Sequence, residues 1–510
     1  MTVTLRSSLS YSPVELKFGT SGRRGEIIHL TPLEIYLNVL AEIEYLQSLP
    51  IEEGGVRRGD QFFFACDLRP SSPDLAVAAV EAMRDAGMQP VNCGRIPTPA
   101  LTFYALSQGK GSLMVTGSHI PFNRNGYKLN TSRGELLKHH EGPINERVAA
   151  VRERLYNETA ESSRFNAEGQ FKAAPEAMPT ETAAAAELYL DRYVKFFAGQ
   201  SLKGKRILVY QHSAVGRDLL AEMLRRLGAE VVPAGRSEMF VPIDTENIEA
   251  SQLAAIQALV DGQYDAVAST DGDSDRPLLL GVNADGTLRF FGGDLLGMVV
   301  AEYLGADAVV VPISCNDAID RGTLAGVTAP KTRIGSPYVI AGMKAALASG
   351  KKVVCGWEAN GGFLLGSDLP TLRALATRDA FLPLLCALIA AGSGSLGELF
   401  DRLPSRYSRA ALLKEFPRPT SLKILEQLTP ETIGQFFTAE QGFGALDRID
   451  RTDGVRMLFA NGDVAHVRPS GNADELRIYA VADTQERADA IADAGVAQDG
   501  ILRRLEAFVA

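Results

Sequence analysis

Short apolar runs, each followed by a stretch of helical period and then a second short apolar run, recur along the chain. Gln61-Phe-Phe-Phe-Ala-Cys66 predicts a strand, Ser72 to Asp85 a helix opened by Ser72-Pro73 and stopped at Gly87, and Gln89 to Cys93 the returning strand. A second copy runs from Lys205-Arg-Ile-Leu-Val-Tyr210 through a helix over Gly216 to Leu227 and returns on Glu230-Val-Val232. A third is expected from Asp307-Ala-Val-Val-Val311, a helix over Asp317 to Leu324, Gly326, and a return strand ending near Arg333. Three such units predict three similar α/β domains, each with a sheet sandwiched by helices.

After Phe400 the pattern changes. Val455 to Ala460, an Asn461-Gly462 turn, Val464 to Val467 and Leu476 to Val481 predict short paired strands, and a terminal helix starts at Thr484. This is an antiparallel α+β domain. The Ala-, Glu-, Thr- and Ser-rich segment from Asn157 to Glu187, carrying Pro175 and Pro179, reads as a surface excursion, so a boundary falls close to 180. The expected domains are residues 1–180, 181–290, 291–405 and 406–510.

At 510 residues the chain exceeds what one core can organise, and 46% apolar with 22% charged residues is a globular composition. A formal charge of −10 without any basic run argues against nucleic acid and anionic membranes as partners, so a small-molecule substrate is expected. The five cysteines, Cys66, Cys93, Cys315, Cys355 and Cys386, are odd in number, far apart and set in apolar runs, which reads as buried free thiols. Met1 to Lys17 has no secretory pattern, and the longest apolar run, Phe381 to Ala391, contains Pro383 and is too short to span a bilayer. A cytoplasmic location is expected.

Four loops carry candidate chemistry. Thr116-Gly117-Ser118-His119-Ile120-Pro121, followed by Asn125-Gly126-Tyr127-Lys128, puts a hydroxyl on a tight turn just after the apolar run ending at Val115. A serine hydroxyl needs a base, a cation or a prior covalent charge to react. Ile120 stands where a lipase-type elbow needs glycine. Upstream, residues 17–25 form a Gly-rich basic loop suited to a phosphate.

Asp271-Gly272-Asp273-Ser274-Asp275-Arg276 leaves the predicted strand Ala266 to Ser269 with three carboxylates, an oxygen-rich set that suits a hard divalent cation. Arg276 and Val282 occupy positions where an EF-hand needs glycine and glutamate, which removes that reading. Arg276 could instead reach a substrate phosphate or fix the acidic loop. Trp357-Glu358-Ala359-Asn360-Gly361 offers a carboxylate and an amide to adjacent sugar hydroxyls, with Trp357 read as packing rather than stacking. Arg468-Pro469-Ser470-Gly471-Asn472 and then Arg477 could hold a phosphate dianion.

Taken in this order, the four loops resemble those of the α-D-phosphohexomutase family, whose members share four domains around one central cleft, and the resemblance runs over essentially the whole chain. It implies that Ser118 is the phosphorylated residue and that Mg²⁺ is held by a phosphoserine oxygen with Asp271, Asp273 and Asp275. It further implies transfer of that phosphoryl to a hexose monophosphate, reorientation of the resulting hexose 1,6-bisphosphate, and recovery of a phosphoryl from its other end. Lys128 is then the acid–base candidate, Arg24 a contact close to Ser118, and His119 a third catalytic candidate. Arg276, Glu358, Asn360, Arg468, Ser470, Gly471, Asn472 and Arg477 are the substrate-binding candidates.

Ser274 and Asn360 depart from the family pattern, and Gly335-Ser336 stands where some dual-specificity members carry a histidine. The loop variants look most like those of bacterial phosphomannomutases, which implies interconversion of mannose 6-phosphate and mannose 1-phosphate. Phosphoglucomutase or dual specificity is the alternative. Retention of Ser118, the aspartates and Arg468 weighs against a non-catalytic sugar-phosphate sensor, and a second phosphate loop weighs against a metal-dependent phosphatase.

Overall fold

Ser72-Pro73 and the glycine after Asp85 frame the first parallel crossover. The computed structural model describes residues 3–19, 21–246, 248–471 and 474–510, and in it strand Gln61–Cys66, helix Ser72–Asp85 and strand Gln89–Asn92 fall where the pattern puts them. The chain forms three α/β domains and a C-terminal antiparallel-sheet domain, grouped in two compact units.

The first unit holds the residues up to Ile243, with Leu259–Pro277 and Asp368–Leu382. Its first sheet runs in the order Arg23–Glu26, Arg124–Thr131, Ser112–Val115, Gln61–Cys66, Gln89–Asn92. The last three strands are parallel and the first two antiparallel, with Met114 opposite Lys128 and Val115 opposite Tyr127. Parallel strands covered on both faces are apolar throughout, which is why Phe62, Phe63 and Phe64 are consecutive and all buried. Helix Pro32–Ser48, started by the Thr31 cap and Pro32, buries most of its length. Beneath it Arg23 pairs with Glu42 at 2.6 Å, both buried.

A second parallel set in this unit places Arg206–His212 between Glu230–Arg236 and Ala266–Thr270. The helix Arg217–Arg226 joins the first two strands. Helix Ala184–Phe196 supplies Tyr189 and Tyr193, whose hydroxyls both donate to the buried carboxylate of Asp379 and so fix the end of strand Leu375–Asp379.

In the second unit, strand Ala308–Val310 is parallel to Val354–Trp357, which is antiparallel to Phe363–Leu365. Here the sequence expectation is corrected. Residues 317–324 give only the 3₁₀ turn Asp317–Asp320, and the predicted return strand reduces to isolated bridges at Thr328 and Thr332. The helix of this crossover is Ser336–Ala348 and its return strand Val354–Trp357. Asn316 caps the short turn through Ala318 N at 2.9 Å, and Arg406 takes the Asp317 carboxylate in a fork at 2.7 and 3.0 Å. Gly322 inside the segment disfavours a helix there.

The C-terminal sheet is antiparallel throughout, ordered Leu446–Asp450, Val455–Phe459, Val464–Pro469, Glu475–Ala482, Tyr407–Lys414. Helix Gln485–Val496, capped by Thr484, and helix Ile501–Val509 bury Ile491, Leu502 and Leu505 with Met457, Val467 and Ile478. The cysteines are free thiols, four of them buried and Cys66 half-buried. The apolar run beginning at Phe381 is the buried helix Phe381–Ala390, and no described helix is long and apolar enough to cross a membrane.

Candidate active site

The strand ending at Val115 delivers the serine loop into a cradle of hydrogen bonds. Thr116 Oγ1 donates to Asp67 Oδ2 at 2.8 Å and accepts from Ser118 N at 2.7 Å, while Gly117 N donates to Asp67 Oδ2 at 3.3 Å. Arg69 encircles the loop, donating to the carbonyl oxygens of Ser118 (2.9 Å), Ile120 (2.5 Å), Pro121 (2.8 Å) and Arg124 (2.9 Å). A Cβ at Gly117 would lie 2.5 Å from the Arg69 guanidinium, so this guanidinium requires glycine there. Ser118 is held at φ +53, in the left-handed region, with its side chain 2.7 Å from Asp271 Oδ2, to which it donates.

The acidic loop leaves strand Ala266–Thr270 with Asp271, Asp273 and Asp275 fully buried and their candidate ligand atoms within 4.8 Å of one another. Asp271 Oδ1 accepts the backbone amides of Asp275 and Arg276 at 3.1 and 3.2 Å. Asp273 Oδ2 accepts from Thr98 Oγ1 at 2.5 Å and Lys128 Nζ at 2.6 Å. Asp275 Oδ2 accepts from Lys128 Nζ at 2.5 Å and from Arg378 at 2.9 and 3.1 Å. The Oδ1 atoms of Asp273 and Asp275 are buried without a donor.

Burial, reinforced by the neighbouring charges of Asp273 and Asp275, pushes Asp271 well above the usual carboxylate range. Burial acts the same way on Asp273 and Asp275 but is overcome there, by Lys128 and by Arg378 respectively, and both carboxyls lie below their ordinary values. Two orphaned buried acceptors beside a third carboxylate form a hard-oxygen set that fits a divalent cation such as Mg²⁺. Gly272 lets the two loops meet, since a Cβ there would stand 2.7 Å from Ser118 O.

The structure brings the remaining first-unit candidates to the same place. Arg24 Nη1 donates to Arg23 O and Tyr127 O at 2.8 and 3.1 Å. Burial, with the nearby Arg69 and Arg378 cations adding to it against the pull of Asp273, moves its pKa down to about 10. Arg276 Nη1 donates to His119 Nδ1 at 2.7 Å, because a guanidinium can only donate. The Nδ1 lone pair is thus committed to Arg276, with Ser118 Oγ farther off at 3.4 Å, which is the geometry of a spacer rather than of a nucleophile–base pair.

Sequence reading missed Asp67, Arg69, Thr98 and Arg378. The available signal was positional: Asp67-Leu68-Arg69 follows directly on a buried parallel strand, and such strand ends collect site residues.

The second unit holds the other candidates in two loops. Glu358 and Asn360 are buried on the turn after Val354–Trp357, where Asn360 Oδ1 accepts Gly362 N at 3.0 Å and Asn360 O accepts Thr245 Oγ1 at 2.8 Å. Gly293 permits this turn, since a Cβ there would meet Gly361 N at 2.1 Å. Trp357 is fully buried and its indole lies against Gly297, the packing role expected of it. Arg468 and Arg477 face each other in register across the last two long strands. Arg468 pairs with Asp453 at 3.0 Å and Arg477 with Glu475 at 2.9 Å. Ser470 N donates to Glu475 O at 2.8 Å, and Arg418 supports the turn through Ser470 O at 2.9 Å. Asn472 lies outside the described residues.

Comparison with known proteins matches the chain to phosphoglucomutase/phosphomannomutase alpha/beta/alpha domains I, II and III over residues 15–155, 187–283 and 292–407. The C-terminal domain of the same family matches residues 422–498. A phosphomannomutase of Sinorhizobium fredii is 38% identical over 490 residues, covering 94% of this chain and 98% of that protein. One of Salmonella muenchen is 38% identical, covering 93% of each. Among solved structures, a phosphoglucomutase/phosphomannomutase family protein from Burkholderia thailandensis superposes with a TM-score of 0.68 at 19% identity, over 97% of this chain and 98% of that one. An Aspergillus fumigatus N-acetylphosphoglucosamine mutase in complex with GlcNAc-6P and magnesium gives 0.56 at 14% identity, over 99% and 97%. These last two likenesses concern the fold alone.

The chain belongs to the α-D-phosphohexomutase superfamily, in its four-domain phosphoglucomutase/phosphomannomutase branch, and is a phosphohexomutase, an isomerase.

Proposed function

We propose that this phosphohexomutase is a phosphomannomutase that works through a phosphorylated Ser118. The observation that carries the chemistry is Ser118 Oγ at 2.7 Å from Asp271, within a buried aspartate triplet that has two acceptor oxygens to spare. Asp271, Asp273, Asp275 and an oxygen of the phosphorylated serine would hold Mg²⁺. That ion offsets negative charge on the transferring phosphoryl group.

In the first half-reaction a hydroxyl of the hexose monophosphate attacks phosphorus, the bond to Ser118 Oγ breaks, and hexose 1,6-bisphosphate results. After the sugar turns over, Ser118 Oγ takes a phosphoryl from the other end. Lys128 is assigned the proton exchange with the reacting sugar oxygen, being the ammonium that contacts both Asp273 and Asp275. Glu358 and Asn360 grip ring hydroxyls, and Arg468, Ser470, Gly471, Asn472 and Arg477 hold the phosphate that is not reacting. Arg24, His119 and Arg276 orient the group on Ser118. Domain boundaries near 180, 290 and 405 belong to the same reading.

The mannose preference is supported by 38% identity to two phosphomannomutases along nearly the whole chain. The test is turnover with Mg²⁺ and a trace of hexose 1,6-bisphosphate on mannose 1-phosphate and glucose 1-phosphate side by side, with Ser118→Ala as control. Faster turnover of mannose 1-phosphate that disappears in the variant is expected. A preference for glucose 1-phosphate would make the enzyme a phosphoglucomutase, and undiminished turnover in Ser118→Ala would end the phosphoserine reading.

A further inference from the structure

Arg468 is the guanidinium to which the proposed function gives the idle phosphate, and its position has a definite cause. Among the described residues its one ionic partner is Asp453, with Oδ1 at 3.0 Å from Nε. The contact is Coulombic, since that N–H is not aligned on the carboxylate as a hydrogen bond. The other oxygen of the same carboxylate, Oδ2, accepts the backbone amide of Ile334 at 3.0 Å.

Asp453 is itself held. Its carbonyl oxygen accepts from His466 Nε2 at 2.6 Å, and the next residue, Gly454, sits at φ +77 where a Cβ would meet Val467 O at 2.4 Å. One carboxylate thus ties the arginine of the phosphate loop to the segment Arg333-Ile334-Gly335 that precedes helix Ser336–Ala348. Arg333 Nε, donating to Thr452 O at 3.3 Å, adds a second tie between the same two segments.

We infer that Asp453 is a positioning residue for substrate phosphate: it anchors the inner side of the Arg468 guanidinium at Nε, and among the described residues none competes for the terminal nitrogens that a phosphate would take. The inference rests on Arg468 binding phosphate. A phosphate held equally in the ground and transition states lowers KM without changing kcat, so loss of the anchor shows in KM.

The experiment compares Asp453→Asn, Arg468→Lys and the double variant, reading KM and kcat for the hexose monophosphate together with Tm. Asparagine keeps an acceptor for the Ile334 amide and removes the charge facing Arg468. Asp453→Asn is expected to raise KM about tenfold with kcat within about twofold, and to add little once Arg468 is replaced. An unchanged KM in Asp453→Asn beside a raised KM in Arg468→Lys would overturn the positioning role alone. An unchanged KM in Arg468→Lys would overturn the phosphate assignment on which it stands. Additive effects in the double variant, tracking a lowered Tm, would reduce Asp453 to a structural residue.

Discussion

The two units hold charge in opposite ways. In the first, three fully buried aspartates are locked by Lys128, Arg378, Thr98 and backbone amides, and the serine loop is locked by Arg69 and Asp67. In the second, among the described residues, Arg468 pairs with Asp453 at one flank, and Arg477 pairs with Glu475 with the charge of Glu246 also acting on it. In the proposed mechanism the first arrangement would fix atoms that must not move while a bond is exchanged, and the second would offer guanidinium groups to a ligand that must leave, turn and return. Fixed charge in a dry site costs little reorganisation at the moment of reaction, and this predicts that damage in the first unit appears in kcat and damage in the second in KM.

The contrast is sharpest at Ser118. Ser118→Ala removes the proposed phosphoryl acceptor and should lower kcat by more than about 10³-fold with an unchanged circular dichroism spectrum. Next comes Asp273→Asn, which weakens the oxygen set and leaves Lys128 with one carboxylate fewer. Turnover should fall about 10²–10³-fold, and Mn²⁺ affinity, read by calorimetry on the unphosphorylated protein, should fall with it.

Arg69→Lys keeps a cation but loses the fork that binds four carbonyl oxygens, so kcat should drop roughly tenfold to a hundredfold while KM stays put. If KM rises instead, the division between the units fails. On the other side, Arg468→Lys should raise KM about tenfold and spare kcat.

The smallest effect concerns pH and involves both units alike. His212 in the first and His466 in the second are buried neutral, burial being the main cause, with pKa values pushed down to about 4 and about 3. In the unfolded chain each takes a proton near the ordinary value of 6.5. The unfolded state therefore binds more protons in this window, and stability is full above about pH 6.5 and declines as pH falls toward 4. Melting temperature followed across that range should show the decline, and His212→Gln should flatten part of it. A flat profile in the parent protein would contradict the buried neutral state.

Much of the first unit was legible because parallel strands are unbroken apolar runs and their ends carry the polar residues. Strand 61–66, helix 72–85 and the acidic loop after Thr270 could all be located from the pattern. Arg378 could not, because its partner Asp275 stands 103 residues away and nothing in either local sequence names the other. Asp67 and Arg69 were in plain view, but Arg69 acts on backbone carbonyls and Asp67 on the Gly117 amide and the hydroxyls of Thr116 and Ser72, contacts that no local side-chain motif records. The third crossover was misplaced because the residues around Asp317 serve a charge network with Arg406 rather than a helix.

The left-handed backbone at Ser118 also bears on how this enzyme responds to engineering. A non-glycine residue in that conformation stores about 1–2 kcal/mol, which glycine would release. Ser118→Gly therefore relieves that strain while deleting both the hydrogen bond to Asp271 and the proposed phosphoryl carrier, so a variant library sorted by survival on heating alone would be blind to the loss of activity there.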